Sequence, residues 1–222
     1  LGSGALFFSA VPERAFLADI NDELINFYRI LKSQPRRLYA RLQGFNPSEA
    51  TYYSLRAVSP RTPLGRAARF FCLIRLSWNG LYRVNRQGRF NVPFGGRTPT
   101  QLLTLERTLA ASRALQDARL RRGHFQRTTV TIEAGDFIYF DPPYPKGASN
   151  GNGFARYSAT GFTLADHKRL ARYAAQLADR GVHVLITEGA RKEILQLFSE
   201  AFYITFVRNP SLIAADSEFR RD

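Results

Sequence analysis

The sequence predicts an α/β fold built in two parts, and three observations carry that prediction. Apolar runs of strand length alternate with helix-period segments near both ends of the chain. The alternation breaks over residues 35–114, where arginines crowd short helical segments cut by Pro35, Pro47, Pro60 and Pro63. The apolar run Phe137-Ile138-Tyr139-Phe140 stops against Asp141-Pro142-Pro143-Tyr144-Pro145. Prolines lack an N–H and fix φ, so they end a strand. What remains at the strand's carboxyl end is an acid, a rigid backbone and an aromatic, at the edge where open α/β sheets bind ligands.

Leu1-Gly2-Ser3-Gly4 before Ala5-Leu6-Phe7-Phe8 reads as a glycine turn opening a helix, and small residues there let backbone N–H groups approach a ligand. Residues 15–20 read as a strand carrying Asp19 at its end. In nucleoside-binding α/β folds such an acid accepts hydrogen bonds from ribose hydroxyls. The competing reading makes Asp19 or Asn21 the cap of the next helix, and both roles fit side by side. That helix is predicted over 22–32, with Leu24, Ile25, Phe27, Tyr28 and Leu31 at helical spacing.

In the arginine-dense stretch a helix is predicted over 64–76, with Phe70, Phe71, Leu73 and Ile74 toward a core. Residues 77–95 form two short alternating runs around the turn signal Asn85-Arg86-Gln87-Gly88, so they read as a β-hairpin. Its aromatics and arginines suit nucleic acid, through rings that wedge or stack and guanidiniums that reach phosphates or guanine edges. A solvated basic hairpin is the plainer reading. A helix over 100–116 with Leu102, Leu105 and Leu109 on one face follows, then a strand-like run over 119–125.

Residues 146–153, rich in Gly, Asn and Ser, read as a loop beside the tetrad or as an idle linker. Thr163 with Asp166 forms a capping-box pattern. The helix it opens carries Leu170, Tyr173, Ala174 and Leu177 and stops at Gly181. A buried strand over 182–187, with His183 a core or edge histidine, a helix over 191–200 and a strand over 202–207 complete the alternation.

Composition narrows the class. The chain has 222 residues, 45% of them hydrophobic and 13% aromatic, enough for a sizeable core plus a subdomain. No apolar run reaches the roughly 18 residues of a membrane span, and no secretory signal opens the chain. A cytoplasmic protein is expected. Cys72 is the single cysteine, so an internal disulfide is excluded and no metal-ligand spacing appears; it is expected on the apolar face of a helix. The net charge is +14, with lysine only at 32, 146, 168 and 192. That balance favours a polyanionic partner, although a GC-rich genome also produces arginine-rich proteins. There is no methionine, and Leu1 opens in the middle of a pattern, so the natural amino terminus is expected to lie outside this sequence.

The tetrad suggests a chemistry. A carboxylate and an adjacent proline carbonyl are two acceptors for an exocyclic amine, and a tyrosine ring is a face on which a planar heterocycle stacks. The same four residues also read as a proline-rich turn with Tyr144 as surface filler.

Ala18-Asp19-Ile20-Asn21, Asn79-Gly80-Leu81-Tyr82-Arg83, Phe90-Asn91-Val92-Pro93-Phe94-Gly95 and Asp141-Pro142-Pro143-Tyr144 together resemble the Dam-type (D12 class) DNA adenine-N6 methyltransferases over nearly the whole chain. The resemblance implies a Rossmann-like S-adenosylmethionine-dependent methyltransferase core, from 1–34 and 115–222. A mostly helical target-recognition insert carrying a β-hairpin would span 35–114. It implies catalytic roles for Asp141, Pro142, Pro143 and Tyr144, and cofactor contacts from Gly2, Gly4, Asp19, Ile20, Phe125 and Asp141.

DNA contacts are implied for Trp78 as a wedge, for Leu81, Arg83 and Pro93 at the bases, and for Asn85 at the backbone. Phe154 and Tyr157 match aromatics of the loop after the tetrad. Double-stranded DNA is the implied partner, S-adenosylmethionine the methyl donor and GATC the site by analogy, with no metal and a monomeric enzyme expected. An RNA adenine methyltransferase and a non-catalytic DNA-binding relative are the alternatives. A reading hairpin argues against the first, since A-form major grooves do not admit one. The chain departs from the family in lacking its amino-terminal segment, in carrying His124 where relatives often have an acid, and in stopping at Asp222 short of the last strand.

Overall fold

The structure is a computed structural model that describes residues 1–96, 102–129, 131–144 and 162–207. The chain divides into two compact units. The first comprises Leu1–Arg83 with Arg89–Val130, the second Val84–Gly88 with Thr131–Asp222.

The first unit contains α1 (Ala5–Ala10), β1 (Ala15–Asp19), α2 (Asp22–Ser33), α3 (Pro35–Gln43), α4 (Glu49–Ala57), α5 (Pro63–Leu76), α6 (Leu105–Ala114), β2 (Ala118–Arg122) and α7 (Phe125–Thr128). Strands β1 and β2 pair in parallel, with Ala15 opposite Ala118 and Asp19 opposite Arg122. Their carboxyl ends therefore share one edge. Helix α2 begins where Asn21 caps it, taking N–H bonds from Glu23 and Leu24 on its side-chain oxygen, and its first-turn acids and Lys32 in its last turn both suit the helix dipole.

Helix α5 begins at a Thr62 cap with Pro63 at its first position. It packs along α2. Ala67 and Ala68, both fully buried, let the two helices approach closely, and Phe27 stacks on Phe71 with centroids 5.4 Å apart. Leu31, Leu38, Leu42, Tyr52, Leu73 and Leu115 extend the same core. Cys72 lies buried in it, as its helical position predicts, and burial pushes its thiol up to about 12.

Two expectations in this unit shift. The helix expected from residue 100 begins at Leu105, where the Thr104 side chain caps it by accepting from the Arg107 N–H; residues 97–101 lie outside the described residues. The strand expected over 119–125 ends at Arg122, and Phe125 opens α7 instead. Gly123 follows the strand; its N–H bonds Asp19 O at 3.0 Å, and a Cβ there would lie 2.9 Å from Thr128 Cγ2, so a larger residue would require the Thr128 side chain to shift.

The second unit contains β3 (Phe137–Phe140), α8 (Leu164–Asp179), β4 (His183–Ile186) and α9 (Lys192–Phe198). Strands β3 and β4 pair in parallel, Phe137 opposite His183 and Phe140 opposite Ile186. The Thr163–Asp166 capping box forms as the sequence predicts. Helix α8 ends at Asp179, with Gly181 just beyond its cap at φ +82°, and α9 packs on α8 through Ala171, Ile194 and Phe198.

Burial here is shallower than the apolar runs suggest. Phe137 is 60% and Leu185 45% exposed, and His183 is exposed at the strand's start, because a two-stranded pair leaves much of its surface uncovered. Residues 202–207 form no strand among the described residues. An apolar run supplies strand composition and no ladder partner, and Tyr203 is 96% exposed. Residues 146–153, Phe154 and Tyr157 lie outside the described residues. Among the described residues no helix is long and apolar enough to cross a membrane.

Candidate functional site

At the carboxyl edge of β1 and β2 the predicted acid and the predicted glycine turn meet. The Gly2 N–H donates to Asp19 Oδ2 at 3.2 Å and the Asn21 N–H to Asp19 Oδ1 at 2.9 Å. The Leu1 nitrogen lies 3.4 Å from Oδ2. Gly2 and Gly4 hold φ of +53° and +69°, the left-handed region that favours glycine. At Gly4 a Cβ would meet Phe8 Cε2 and the Tyr28 hydroxyl at 3.0 Å. That hydroxyl donates to Gly2 O at 3.2 Å, and burial, followed by the nearby Asp19 charge, raises its phenol well above the ordinary tyrosine range.

Asp19 is thus set by main-chain donors beside a tight turn. A carboxylate offers about four acceptor sites, so Oδ1 retains a lone pair for a hydroxyl. Ile20 follows, 61% exposed, an apolar surface suited to a purine face. Gly123 bonds the same strand end, and Phe125, partly buried, stacks at a tilt on His124 with centroids 4.1 Å apart. An acid for a diol, a glycine turn and apolar surfaces fit the adenosine portion of S-adenosylmethionine.

The candidate reading loop follows α5. Its arms bond antiparallel at a few points rather than as a continuous ladder: Ser77 bridges Phe94, Trp78 N–H donates to Pro93 O at 3.0 Å and Asn91 N–H to Arg83 O at 3.0 Å. Trp78 and Leu81 are partly buried against the core, and Pro93 is exposed. Tyr82 lies between Phe70 and Phe90, at centroid distances of 5.6 and 5.7 Å. Tyr52, fully buried, anchors the returning arm by donating to Val92 O at 2.8 Å, and burial pushes its phenol up to about 12.

The Arg83 guanidinium is held flat against one residue, Nε to Asn91 Oδ1 at 2.8 Å and Nη2 to Asn91 O at 3.3 Å. In the turn, Asn85 Oδ1 accepts from the Gln87 N–H at 3.0 Å and Asn85 O from the Gly88 N–H at 3.0 Å.

In the second unit, Asp141 and Thr187 each follow the last residue of neighbouring parallel strands. The register Phe140–Ile186 sets them side by side, and Thr187 N–H donates to Phe140 O at 3.1 Å. Thr187 Oγ1 donates to Asp141 Oδ1 at 2.9 Å, and the Tyr139 hydroxyl lies 3.0 Å from Thr187 Oγ1. Pro142 and Pro143 are partly buried, while Tyr144 is 45% exposed.

The Tyr144 phenol is raised by burial first; a hydrogen bond with Thr187 lowers it, and the Asp141 charge and hydrogen bond raise it. Its hydroxyl end is therefore tied in beside the acid while the residue stays 45% exposed. The tetrad was readable from the sequence; Thr187 was not, since it reads as the last residue of an apolar strand. Beside it, Glu188 Oε1 lies 2.7 Å from Nδ1 of the fully buried His167.

Against this geometry, a family model described as D12 class N6 adenine-specific DNA methyltransferase matches residues 1–209. The chain is 33% identical over 210 residues to a type II methyltransferase of Lactococcus lactis subsp. cremoris, M1.LlaDCHI, over 90% of this chain and 74% of that protein. It is 34% identical over 194 residues to a DNA adenine methylase of Vibrio cholerae, covering 84% of this chain and 69% of that one. It is 32% identical over 207 residues to the DNA N-6-adenine-methyltransferase of Escherichia phage P1, covering 90% and 27% respectively.

Proposed function

The chain belongs to the D12 class N6 adenine-specific DNA methyltransferases and is an adenine-specific DNA methyltransferase; within that activity we propose that its target is GATC in double-stranded DNA, that Asp19 and Asp141 hold its two substrates, and that 35–114 is the reading insert on a core made of 1–34 and 115–222. The single observation that supports the assignment most is Asp141, fixed at a strand's carboxyl end by a hydroxyl and followed by Pro142 and the exposed Tyr144.

Bound S-adenosylmethionine supplies an electrophilic methyl group on a sulfonium. Asp19 accepts the ribose hydroxyls, while the Gly2–Gly4 turn and the Ile20 and Phe125 surfaces flank the nucleoside. Trp78 wedges the duplex, and the target adenine leaves the stack at a cost of a few kcal/mol. Tyr144 stacks on the everted base. The adenine amine is a poor nucleophile because its lone pair is conjugated with the ring. Asp141 and the Pro142 carbonyl accept its two N–H bonds and draw the nitrogen toward tetrahedral geometry, which frees that lone pair for the methyl group the donor would supply; the S–C electrons would stay on sulfur as a neutral thioether and one amine proton would pass to solvent. Pro143 keeps the turn rigid. Catalysis of this kind is positioning and electrostatics.

Asp141→Ala is expected to abolish N6-methyladenine, read by methylation-sensitive sequencing of DNA from cells expressing the full-length gene, while nonspecific DNA binding persists. Retained methylation removes Asp141 from the reaction. Arg83→Ala, which breaks the fork held by Asn91, is expected to reduce discrimination between GATC and single-base variants by about 1–3 kcal/mol. Comparing kcat/KM on matched duplexes tests this; equal losses on all sequences make Arg83 a phosphate contact.

A further inference from the structure

The carboxylate that meets the amine has a partner from a different strand. We infer that Thr187 is a positioning residue for methyl transfer, its hydroxyl locking the Asp141 carboxylate in the orientation that receives the adenine amine. The inference rests on Asp141 being the amine's acceptor, as proposed above.

A hydroxyl has one proton to give and an ionised carboxylate has none. The Thr187 proton goes to Asp141 Oδ1 at 2.9 Å. Thr187 Oγ1 is then the acceptor for the Tyr139 hydroxyl 3.0 Å away. These bonds run from Tyr139 through Thr187 to Asp141, and the Tyr144 hydroxyl joins them at Thr187 and at the acid. Strand pairing does not need the Thr187 side chain, because the main-chain N–H makes the bond to Phe140 O.

Asp141 itself is exposed and follows the last residue of β3. Without Thr187 the Tyr144 hydroxyl is the donor left on the carboxylate, and a single donor on an exposed ring leaves the group freer to turn about its side-chain bonds. Fixing Oδ1 fixes the plane of the group, and with it the direction of the remaining lone pairs. Misplacing a reacting group by about 1 Å costs on the order of a hundredfold in rate.

The test uses the full-length protein, a GATC duplex and S-adenosylmethionine, with single-turnover methyl transfer, the Kd of each substrate and a thermal melt measured on each variant. Thr187→Val keeps the shape and removes the hydroxyl. It is expected to slow transfer by about ten- to a hundredfold with both Kd values within about twofold of wild type. Thr187→Ser is expected to restore the rate to within a few-fold. Tyr139→Phe, at the far end of the bonds, is expected to cost a smaller, few-fold loss.

A wild-type rate in Thr187→Val, an equal loss in Thr187→Ser, or a loss confined to Kd overturns the inference. If Thr187→Val melts early, Tyr139→Phe decides, and a wild-type rate there overturns it. Asp141→Ala runs alongside. If that variant still methylates, the functional reading fails; if it is inactive while Thr187→Val is unaffected, the failure belongs to Thr187 alone.

Discussion

Two aspartates stand at the carboxyl ends of parallel strands, one in each unit, and they are held by different means. Asp19 receives the main-chain N–H groups of Gly2 and Asn21. Asp141 receives the side-chain hydroxyl of Thr187. A main-chain donor is present whatever residue supplies it, provided the turn keeps its shape. A side-chain donor exists only in residues that carry it. The surroundings of Asp19 should therefore be sensitive to glycine substitution and tolerant of polar-to-apolar changes, and those of Asp141 the reverse.

The largest effect that bears on this contrast is loss of the first acid itself. Asp19→Ala removes a charged acceptor, and hydrogen bonds to charged groups contribute about 1.5–3 kcal/mol each. The Kd for S-adenosylmethionine is expected to rise about ten- to a hundredfold, with duplex affinity unchanged in a filter or fluorescence assay. An unchanged cofactor Kd would take Asp19 out of the donor's site.

Next comes the turn that supplies its donors. Gly4→Ala forces a Cβ into φ +69° and to 3.0 Å from Phe8 and the Tyr28 hydroxyl, whereas Gly2→Ala at φ +53° meets nothing within 4 Å. Left-handed backbone costs an L-residue about 1–2 kcal/mol. Both variants should lose about that much in denaturant unfolding, with an additional loss in Gly4→Ala alone. Equal losses would mean that strain, and not the crowding by Tyr28, sets the turn.

What the sequence discloses follows the same division. Local devices are legible: the Asn21 cap of α2, the Thr163–Asp166 box and the meeting of Gly2 with Asp19 all lie within a few residues or a known turn-and-acid pattern. Features set by pairing between distant strands are not. Thr187 reaches Asp141 only because Phe140 pairs with Ile186, and no periodicity in either strand encodes that register. The apolar run over 202–207 has the composition of a strand, but composition does not provide a neighbour to bond with. The run over 119–125 is cut short at Arg122, and Phe125 opens a helix instead, which the strand-like composition does not disclose.

The smallest effect is the sharpest check on the contrast. Asn21 does two things with two different groups. Its main-chain N–H donates to Asp19 Oδ1, and its side-chain oxygen caps α2 by accepting from Glu23 and Leu24. It also hydrogen-bonds Tyr82, one of the influences on a phenol that burial raises. Asn21→Ala deletes the side chain and keeps the N–H. Stability should fall by about 1 kcal/mol, the usual loss for an N-cap, seen as a lower denaturant midpoint at unchanged slope. The Kd for S-adenosylmethionine should stay within about twofold, since the donor to Asp19 is untouched. A cofactor Kd that worsens as the cap is lost would mean that the acid is aimed by the start of α2, through a side chain, and the two aspartates would then be held in the same way.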